Sequence, residues 1–239
     1  MKEINSFTKG IRNGMPICFG YLSVAFAFGI FSIGQGLTLP ETLLISATNL
    51  TSAGQLAGVP IIAAGGTLIE LAVSQLVINL RYALMSVSLS QKLGPSVRMV
   101  DRFLIAFGNT DEVFAVASSQ QGSVGRKYLY GLILTPYIGW TLGTFLGAVA
   151  GNLLPEIVIA ALGLAIYAMF VAIVLPKAKK HRATAVCLLV AVALSCAFYY
   201  IPGLREIPSG FTVIICSVLA SALMAWLAPI KTGEGESDG

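Results

Sequence analysis

The sequence predicts an all-α, polytopic helical membrane protein with about seven transmembrane segments. Apolar residues make up 56% of its 239 residues, charged residues only 11%, and the mean hydropathy is +0.83. A soluble domain of this length could not bury so much apolar side chain. Several uncharged runs reach the roughly 20 residues that a helix needs to cross about 30 Å of hydrocarbon. The runs are continuous and do not alternate with a period of two, which excludes a transmembrane β-barrel.

Seven apolar segments follow one another along the chain. They are residues 14–38, 42–64, 66–91, 128–151, 157–176, 183–201 and 210–230. We predict one transmembrane domain over residues 1–231 and a disordered, polar and acidic tail at residues 232–239. The first segment follows basic residues, as a signal peptide does, but its apolar run continues and more segments follow. We therefore interpret it as an uncleaved first span.

Basic residues predict the orientation and reveal a conflict. The sequence "KAKKHR" at residues 177–182 is typical of a cytoplasmic loop. Basic residues before the first and fourth segments, and after the third, also favour the cytoplasmic side. Three full crossings cannot join two cytoplasmic ends. Either one segment does not cross, or residues 103–119 form an eighth crossing, or the amino terminus lies outside against its charges.

The second segment is predicted to be broken or re-entrant. Its middle holds hydroxyl and amide side chains, glycines and Pro60, which weaken a regular helix and leave backbone groups that need partners. Irregular backbone at membrane depth often builds the binding site of a transporter. The alternative is a straight helix whose small residues allow close packing.

Arg81 lies deep within the third segment. An arginine at the bilayer centre costs about 2.5–3.5 kcal/mol on insertion scales, so it needs an anion, carbonyl groups or water. Glu70 shares its helix face but lies about 16 Å away along the axis, too far for a direct pair. Three roles compete for Arg81: an ion pair with an acid on another segment, extension to the interface, or binding of an anionic substrate group.

Three acidic residues are candidates for proton coupling: Glu70, Asp111 and Glu112. Acids near membrane depth often serve in proton relays. Asp111 and Glu112 also follow Asn109 and Thr110, which could cap a helix, and two acids in a first turn favour the helix dipole. Helix capping is therefore the alternative role for this pair.

The fourth segment carries a glycine at every fourth position: Gly139, Gly143, Gly147 and Gly151. Such a strip of small residues lets two membrane helices approach closely. It predicts either packing inside this chain or an interface with a separate membrane subunit.

The residues give no support for catalysis or metal binding. The four cysteines lie in apolar runs without paired spacing, and the single histidine, His181, lies in a basic loop. Neither a P-loop nor a serine-hydrolase motif is present. We expect no enzymatic activity, no cofactor and no metal, and we attribute the net charge of +4 to cytoplasmic loops rather than to nucleic-acid binding.

Four motifs in this order resemble the AzlC family, the large subunit of branched-chain amino acid exporters. They are "SAGQLAG" at 52–58, "NLRYALMSVSLSQKL" at 79–93, "TDEVFA" at 110–115 and "GWTLGTFLGAVAG" at 139–151. The resemblance implies a secondary transporter of the bacterial inner membrane, coupled to protons, that works with a small AzlD-type membrane subunit. A histidine often follows the arginine in this family, whereas this chain has Tyr82, which weakens any mechanism that uses that histidine as a proton carrier.

The resulting hypothesis is a permease subunit that exports branched-chain or other hydrophobic amino acids. A zwitterionic aliphatic substrate needs an anion-binding group, polar partners for its ammonium group and an apolar pocket. The predicted substrate-binding residues are Arg81, Asn79, Thr51, Ser52, Gly54 and Gln55. The alternatives are a membrane scaffold that does not transport and a channel for another small solute.

Overall fold

The structure is a computed structural model that describes residues 3–155, 157–158, 171, 174–176, 178–179 and 181–228. Within these residues, two isolated β-bridges aside, every regular element is a helix, which confirms the predicted class. The helices are α1 (Phe7–Gly34), α2 (Leu39–Thr48), α3 (Ala53–Ala63), α4 (Leu68–Ser90), α5 (Met99–Phe107), α6 (Asp111–Ser118), α7 (Arg126–Leu153), α8 (Arg182–Tyr200), α9 (Pro202–Arg205) and α10 (Ser209–Leu227).

Five helices of the described residues are long and apolar enough to span a membrane: α1, α4, α7, α8 and α10. They correspond to the first, third, fourth, sixth and seventh predicted segments. α1 starts earlier than predicted because Ser6 caps it, accepting a hydrogen bond from the Lys9 N–H. Most of the predicted fifth segment, residues 157–176, and the predicted tail, residues 232–239, lie outside the described residues.

The predicted glycine strip of α7 packs against α1. A Cβ atom added at Gly147 would lie 1.9 Å from the Phe26 carbonyl oxygen, and one at Gly139 would lie 2.6 Å from that of Cys18. The two contacts join residues with the same separation along the chain, so the helices run in the same direction. Gly143 and Gly151 continue the contact along α1. The strip therefore serves close packing inside this chain.

The second predicted segment is broken, as the sequence predicts. α2 ends at Thr48, an irregular stretch follows, and α3 runs back antiparallel to α4. The break packs through Leu50 against Trp140, which lies at the middle of α7. α3 then returns until Val59 lies in the same buried cluster as Leu37, just before the start of α2. α2 and α3 form a re-entrant pair, the first hairpin, whose tip is residues 49–52.

Residues 103–119 do not form an eighth continuous crossing. α5 runs along α7, where the Tyr130 hydroxyl donates to the Asp101 carboxylate at 2.5 Å. The chain breaks beside Ile133, which a Cβ atom added at Gly108 would approach to 2.1 Å. α6 then returns, and the Lys92 ammonium group donates to the Ser118 carbonyl. α5 and α6 form the second hairpin, whose tip is residues 108–110.

Because both hairpins are re-entrant, they remove the conflict between the basic residues that favour the cytoplasmic side and the number of predicted crossings. The residues before α1, the loop after α4 and the start of α7 meet on one face. There the Ile4 N–H donates to the Ser123 carbonyl at 2.9 Å and the Gly94 N–H donates to the Val124 carbonyl at 2.8 Å. α1 leaves this face, α4 returns to it, and the first hairpin enters and leaves on the opposite face. The positive-inside rule makes the shared face cytoplasmic without reversing the amino terminus.

Candidate functional site

The tip of the first hairpin and the start of α6 in the second hairpin both line a cavity of about 420 Å³ at mid-depth. This central cavity has the size of a small-molecule site and a mainly apolar and aromatic wall. Its lining residues come from α1, both hairpins, α4 and α7: Pro16, Ile17, Gly20, Tyr21, Val24, Leu50, Ser52, Tyr82, Asp111, Glu112 and Trp140.

The first tip is held by local hydrogen bonds. The Asn49 carboxamide oxygen accepts from the Thr51 N–H at 2.9 Å and from the Thr51 hydroxyl at 2.7 Å, which fixes an Asx turn. Ser52 then adopts φ +39°, in the left-handed region that disfavours side chains other than glycine. Its N–H donates to the Gln55 carboxamide oxygen at 3.2 Å. The turn aims Ser52 into the central cavity and starts α3 there.

Buried amide and hydroxyl groups fix the first hairpin to α7. Gln55 is only 2% exposed, and its Nε2 donates to the Ser46 hydroxyl oxygen at 3.2 Å. Ser46 shares a hydrogen bond of 2.8 Å with Thr144 on α7. Because all three side chains are buried and paired, the link costs little desolvation and sets the position of α2 and α3.

A second set of amides fixes the same hairpin to α4. The Gln75 Nε2 donates to the Gly54 carbonyl at 2.8 Å, and the Asn79 Nδ2 donates to the Gln75 carboxamide oxygen at 3.1 Å. Gly54 allows this approach, since an added Cβ would lie 2.6 Å from the Gln75 oxygen. Gly54 and Gln55 line a smaller cavity of about 170 Å³ behind the tip.

Arg81 pairs with an acid on another helix. Its Nη1 lies 2.5 Å from Asp111 Oδ2, at the start of α6. Its Nη2 donates to the Tyr82 hydroxyl at 3.2 Å, and the guanidinium lies 4.9 Å from the centre of that ring. Of the three roles considered for Arg81, the structure shows the ion pair between segments. The pair joins α4 to the second hairpin.

Glu112 has a different environment from its neighbour Asp111. The Tyr21 hydroxyl on α1 donates to the Glu112 carboxylate. The ion pairs found among the described residues are Arg81 with Asp111 and Arg98 with Asp101, so Glu112 has no cationic partner there. The central cavity therefore contains one neutralised carboxylate and one carboxylate held only by a phenol.

Glu70 lies away from the central cavity. It is 4% exposed, and its carboxylate accepts a hydrogen bond of 2.9 Å from the Gly210 N–H in the first turn of α10. This contact lies at the end of α4 opposite the cytoplasmic face. Glu70 caps α10, and its negative charge interacts favourably with the positive end of that helix dipole.

Asp101 anchors the cytoplasmic base of the second hairpin. Its side chain is only 2% exposed and lies 3.2 Å from the Arg98 guanidinium. Hydrogen bonds from Arg98 and then from Tyr130 hold the pKa of Asp101 well below its usual range. Asp101 therefore stays ionised and serves as an anchor.

Sequence reasoning missed the aromatic residues of the site. Tyr21 and Trp140 pack edge to face with ring centres 5.3 Å apart, and both line the central cavity. A usable signal was present, because a tyrosine hydroxyl inside an apolar run needs a hydrogen-bond partner. The partner itself, Glu112, is 91 positions away and could not be found from spacing.

Comparison with known proteins identifies the family. The family described as AzlC protein matches residues 16–154, more than half of the chain. The chain belongs to the AzlC family. The match runs through α7 and includes both hairpins and every residue that lines the central cavity.

Relatives from both archaea and bacteria resemble nearly the whole chain. An "Uncharacterized membrane protein" of Archaeoglobus fulgidus is 32% identical over 92% of this chain and 94% of its own length. The "Inner membrane protein YgaZ" of Escherichia coli is 28% identical over 92% of this chain and 91% of its own length. No solved structure matches significantly. Together with its five long apolar helices, these relatives show that this AzlC-family chain is a multi-pass membrane protein.

Proposed function

We propose that this chain is the permease subunit of a proton-coupled exporter for branched-chain or other hydrophobic amino acids in the bacterial inner membrane. One observation carries the proposal: both re-entrant hairpins line a mainly apolar cavity in which the Glu112 carboxylate has no cationic partner among the described residues. Broken helices that meet at mid-depth are typical of secondary transporters. Membership of the AzlC family supports the same function.

The cavity offers a complementary group for each part of an aliphatic amino acid. Glu112 binds the ammonium group by a charge-assisted hydrogen bond. Ile17, Val24 and Leu50 surround the apolar side chain. The substrate carboxylate faces Ser52, where the amino end of α3 carries a partial positive charge. Arg81 acts on the site by holding α6 in place through Asp111.

Glu112 is the proposed proton-coupling residue. Arg81 neutralises Asp111, and Glu70 caps α10 outside the cavity, so neither acid is free to exchange a charged ligand. Glu112 can hold either a proton or the substrate's ammonium group. Because the two compete for one carboxylate, an inward proton drives the release and export of the amino acid.

The proposed small AzlD-type subunit has a physical reason to bind this chain. The side chains of Arg81 and Asp111 are 49% and 43% exposed, although they lie at mid-depth. Asp111 lines the central cavity, but an Arg81 side chain that meets hydrocarbon is costly even on insertion scales. A small membrane subunit that covers this pair removes the cost.

A counterflow assay with labelled valine in proteoliposomes, with the small subunit co-expressed, tests the function. We expect counterflow in the wild type and a response to an imposed proton gradient. Glu112→Gln removes the titratable group, so the response to the gradient is lost and counterflow falls at least about tenfold. Glu70→Gln is the matched control, because glutamine still accepts from the Gly210 N–H.

The possible results separate the competing functions. A wild type without substrate-dependent counterflow, in the presence of the partner, points to a scaffold. Flux that ignores the proton gradient points to a channel. Normal coupling in Glu112→Gln together with loss in Glu70→Gln contradicts the role assigned to Glu112.

A further inference from the structure

A separate cavity of about 280 Å³ lies between α4 and α5, on the cytoplasmic side of the second tip. It forms because α5 is tied to α7 through Tyr130 and Asp101 rather than packed onto α4. Its wall is mainly apolar, with polar groups at two ends. The lining residues are Ser86, Leu89, Ser90, Leu93, Met99, Arg102, Phe103, Ile105, Ala106 and Asn109.

Asn109 provides an unfilled polar position at the inner end of this cavity. The residue is 2% exposed, and its Nδ2 donates to the Ser86 hydroxyl oxygen at 3.1 Å. Its Oδ1 is buried and has no hydrogen-bond partner among the described residues. Buried polar atoms are nearly always paired, so this oxygen is suited to accept from a ligand N–H.

Arg102 provides a cation at the outer end. It lies in the first turn of α5, on the cytoplasmic face, and forms none of the ion pairs found among the described residues. Along α5 it is separated from Asn109 by about 10 Å. The carboxylate and ammonium groups of an α-amino acid share one carbon atom, so one molecule cannot fill both ends at once.

We propose that this cavity is a cytoplasmic access site for small amphipathic carboxylates on their way to the central cavity. Arg102 first binds the carboxylate at the mouth, while the wall around Leu89 and Ile105 accepts the apolar side chain. The molecule then moves inward, and Asn109 receives its ammonium group. The second tip separates the two cavities, since Asn109 lies two positions before Asp111. The identity of the ligand as an exported amino acid rests on the proposed function.

Transport measured separately from each membrane face tests the role of Arg102. In inside-out vesicles with the small subunit present, Arg102→Gln raises the KM for valine about tenfold, because a charge-assisted contact is lost. In right-side-out vesicles the KM stays at the wild-type value. Arg102→Lys keeps the charge, so its KM in inside-out vesicles lies between the values of the wild type and Arg102→Gln. Arg12→Gln, an exposed arginine at the cytoplasmic end of α1, is the matched control and stays at the wild-type value. Equal effects on both faces, or equal effects of the two glutamine variants, overturn the proposal.

A labelling experiment tests the site without using transport. Ala106→Cys is made in a chain whose four native cysteines are replaced by alanine, and a polar thiol reagent is added from the cytoplasmic side. We expect labelling that valine slows at least about threefold, a loss of that protection in Arg102→Gln, and no protection of Ser119→Cys, which lies in the exposed loop after α6.

The labelling outcomes also separate this proposal from the proposed function. Protection by another amphipathic carboxylate but not by valine keeps the access site and rejects the proposed substrate. An unlabelled Ala106→Cys rejects a hydrated site. Protection that depends on anionic lipid in the vesicles, and on no soluble carboxylate, shows a lipid site instead and overturns the proposal.

Discussion

The two re-entrant hairpins have the same outline but are held by different chemistry. The first hairpin is fixed by uncharged groups, through Gln55 to α7 and through Gly54 to α4. The second hairpin is fixed by carboxylates, through Asp101 to Tyr130 of α7 at its base and through Asp111 to Arg81 of α4 at the start of α6. Both hairpins line the central cavity, yet only the second brings carboxylates into it.

This difference assigns separate tasks to the two hairpins. Amide and hydroxyl networks do not titrate, so the first hairpin keeps its position when the proton concentration changes. The second hairpin depends on Arg81 and Tyr21, whose partners Asp111 and Glu112 are adjacent in sequence. Under the proposed function, a substrate or proton that binds Glu112 would act directly on the second hairpin, because Glu112 joins that hairpin to α1 through Tyr21.

The largest expected effect comes from breaking the charge pair that holds the second tip. Asp111→Leu leaves Arg81 without its anion at mid-depth, and Arg81→Leu leaves Asp111 without its cation. We expect each variant to lose more than about nine tenths of valine counterflow. The loss of stability is smaller than the roughly 3–5 kcal/mol of a fully buried pair, because both side chains are about half exposed.

The double variant Arg81→Leu/Asp111→Leu shows whether the two residues act as a pair. Because no unpaired charge is left, the double variant loses less stability in detergent than the sum of the two single losses. The difference, the coupling energy of the pair, is at least about 1 kcal/mol. Additive losses would mean that the pair does not hold α6 to α4.

A smaller effect is expected from the uncharged network of the first hairpin. Gln55→Leu removes the donor to Ser46 and the acceptor for the Ser52 N–H, which lowers the free energy of unfolding by about 1–3 kcal/mol. Thermal unfolding in detergent measures the loss. Gln91→Leu, an exposed glutamine after α4, is the control, and an equal loss there would show that the buried network contributes nothing specific.

Composition and periodicity predicted the parts of the fold that depend on local sequence. The long apolar runs predicted the spanning helices, and the polar stretch around Gly54 and Pro60 predicted the break in the second segment. The glycine strip predicted a close helix contact. It could not name α1 as the neighbour, because the matching surface lies more than a hundred residues away.

The second hairpin and the pairing of the site were harder to predict. Asn109 and Thr110 predicted the helix start that α6 has at Asp111. The sequence could not show that the chain turns back there, with Gly108 fitting against Ile133 of α7. Helix geometry excluded Glu70 as the direct partner of Arg81 but could not choose Asp111, since that choice requires the path of the second hairpin. Tyr21 and Trp140 joined the site only when α1 and α7 were placed side by side.

The smallest expected effect compares the backbone of the two tips. Ser52 has φ +39° in the first tip, whereas Thr110 has φ −77° in the second. Glycine relieves strain only in the left-handed region, and elsewhere it adds conformational entropy to the unfolded chain. Both residues are N-caps, where glycine is favoured over alanine. Thr110→Gly should therefore be slightly more stable than Thr110→Ala, and the advantage of Ser52→Gly over Ser52→Ala should be larger by about 1 kcal/mol, because glycine also relieves the strain at φ +39°. Thermal unfolding of the four variants in detergent measures both differences, and an equal difference at both tips would show that Ser52 stores no strain.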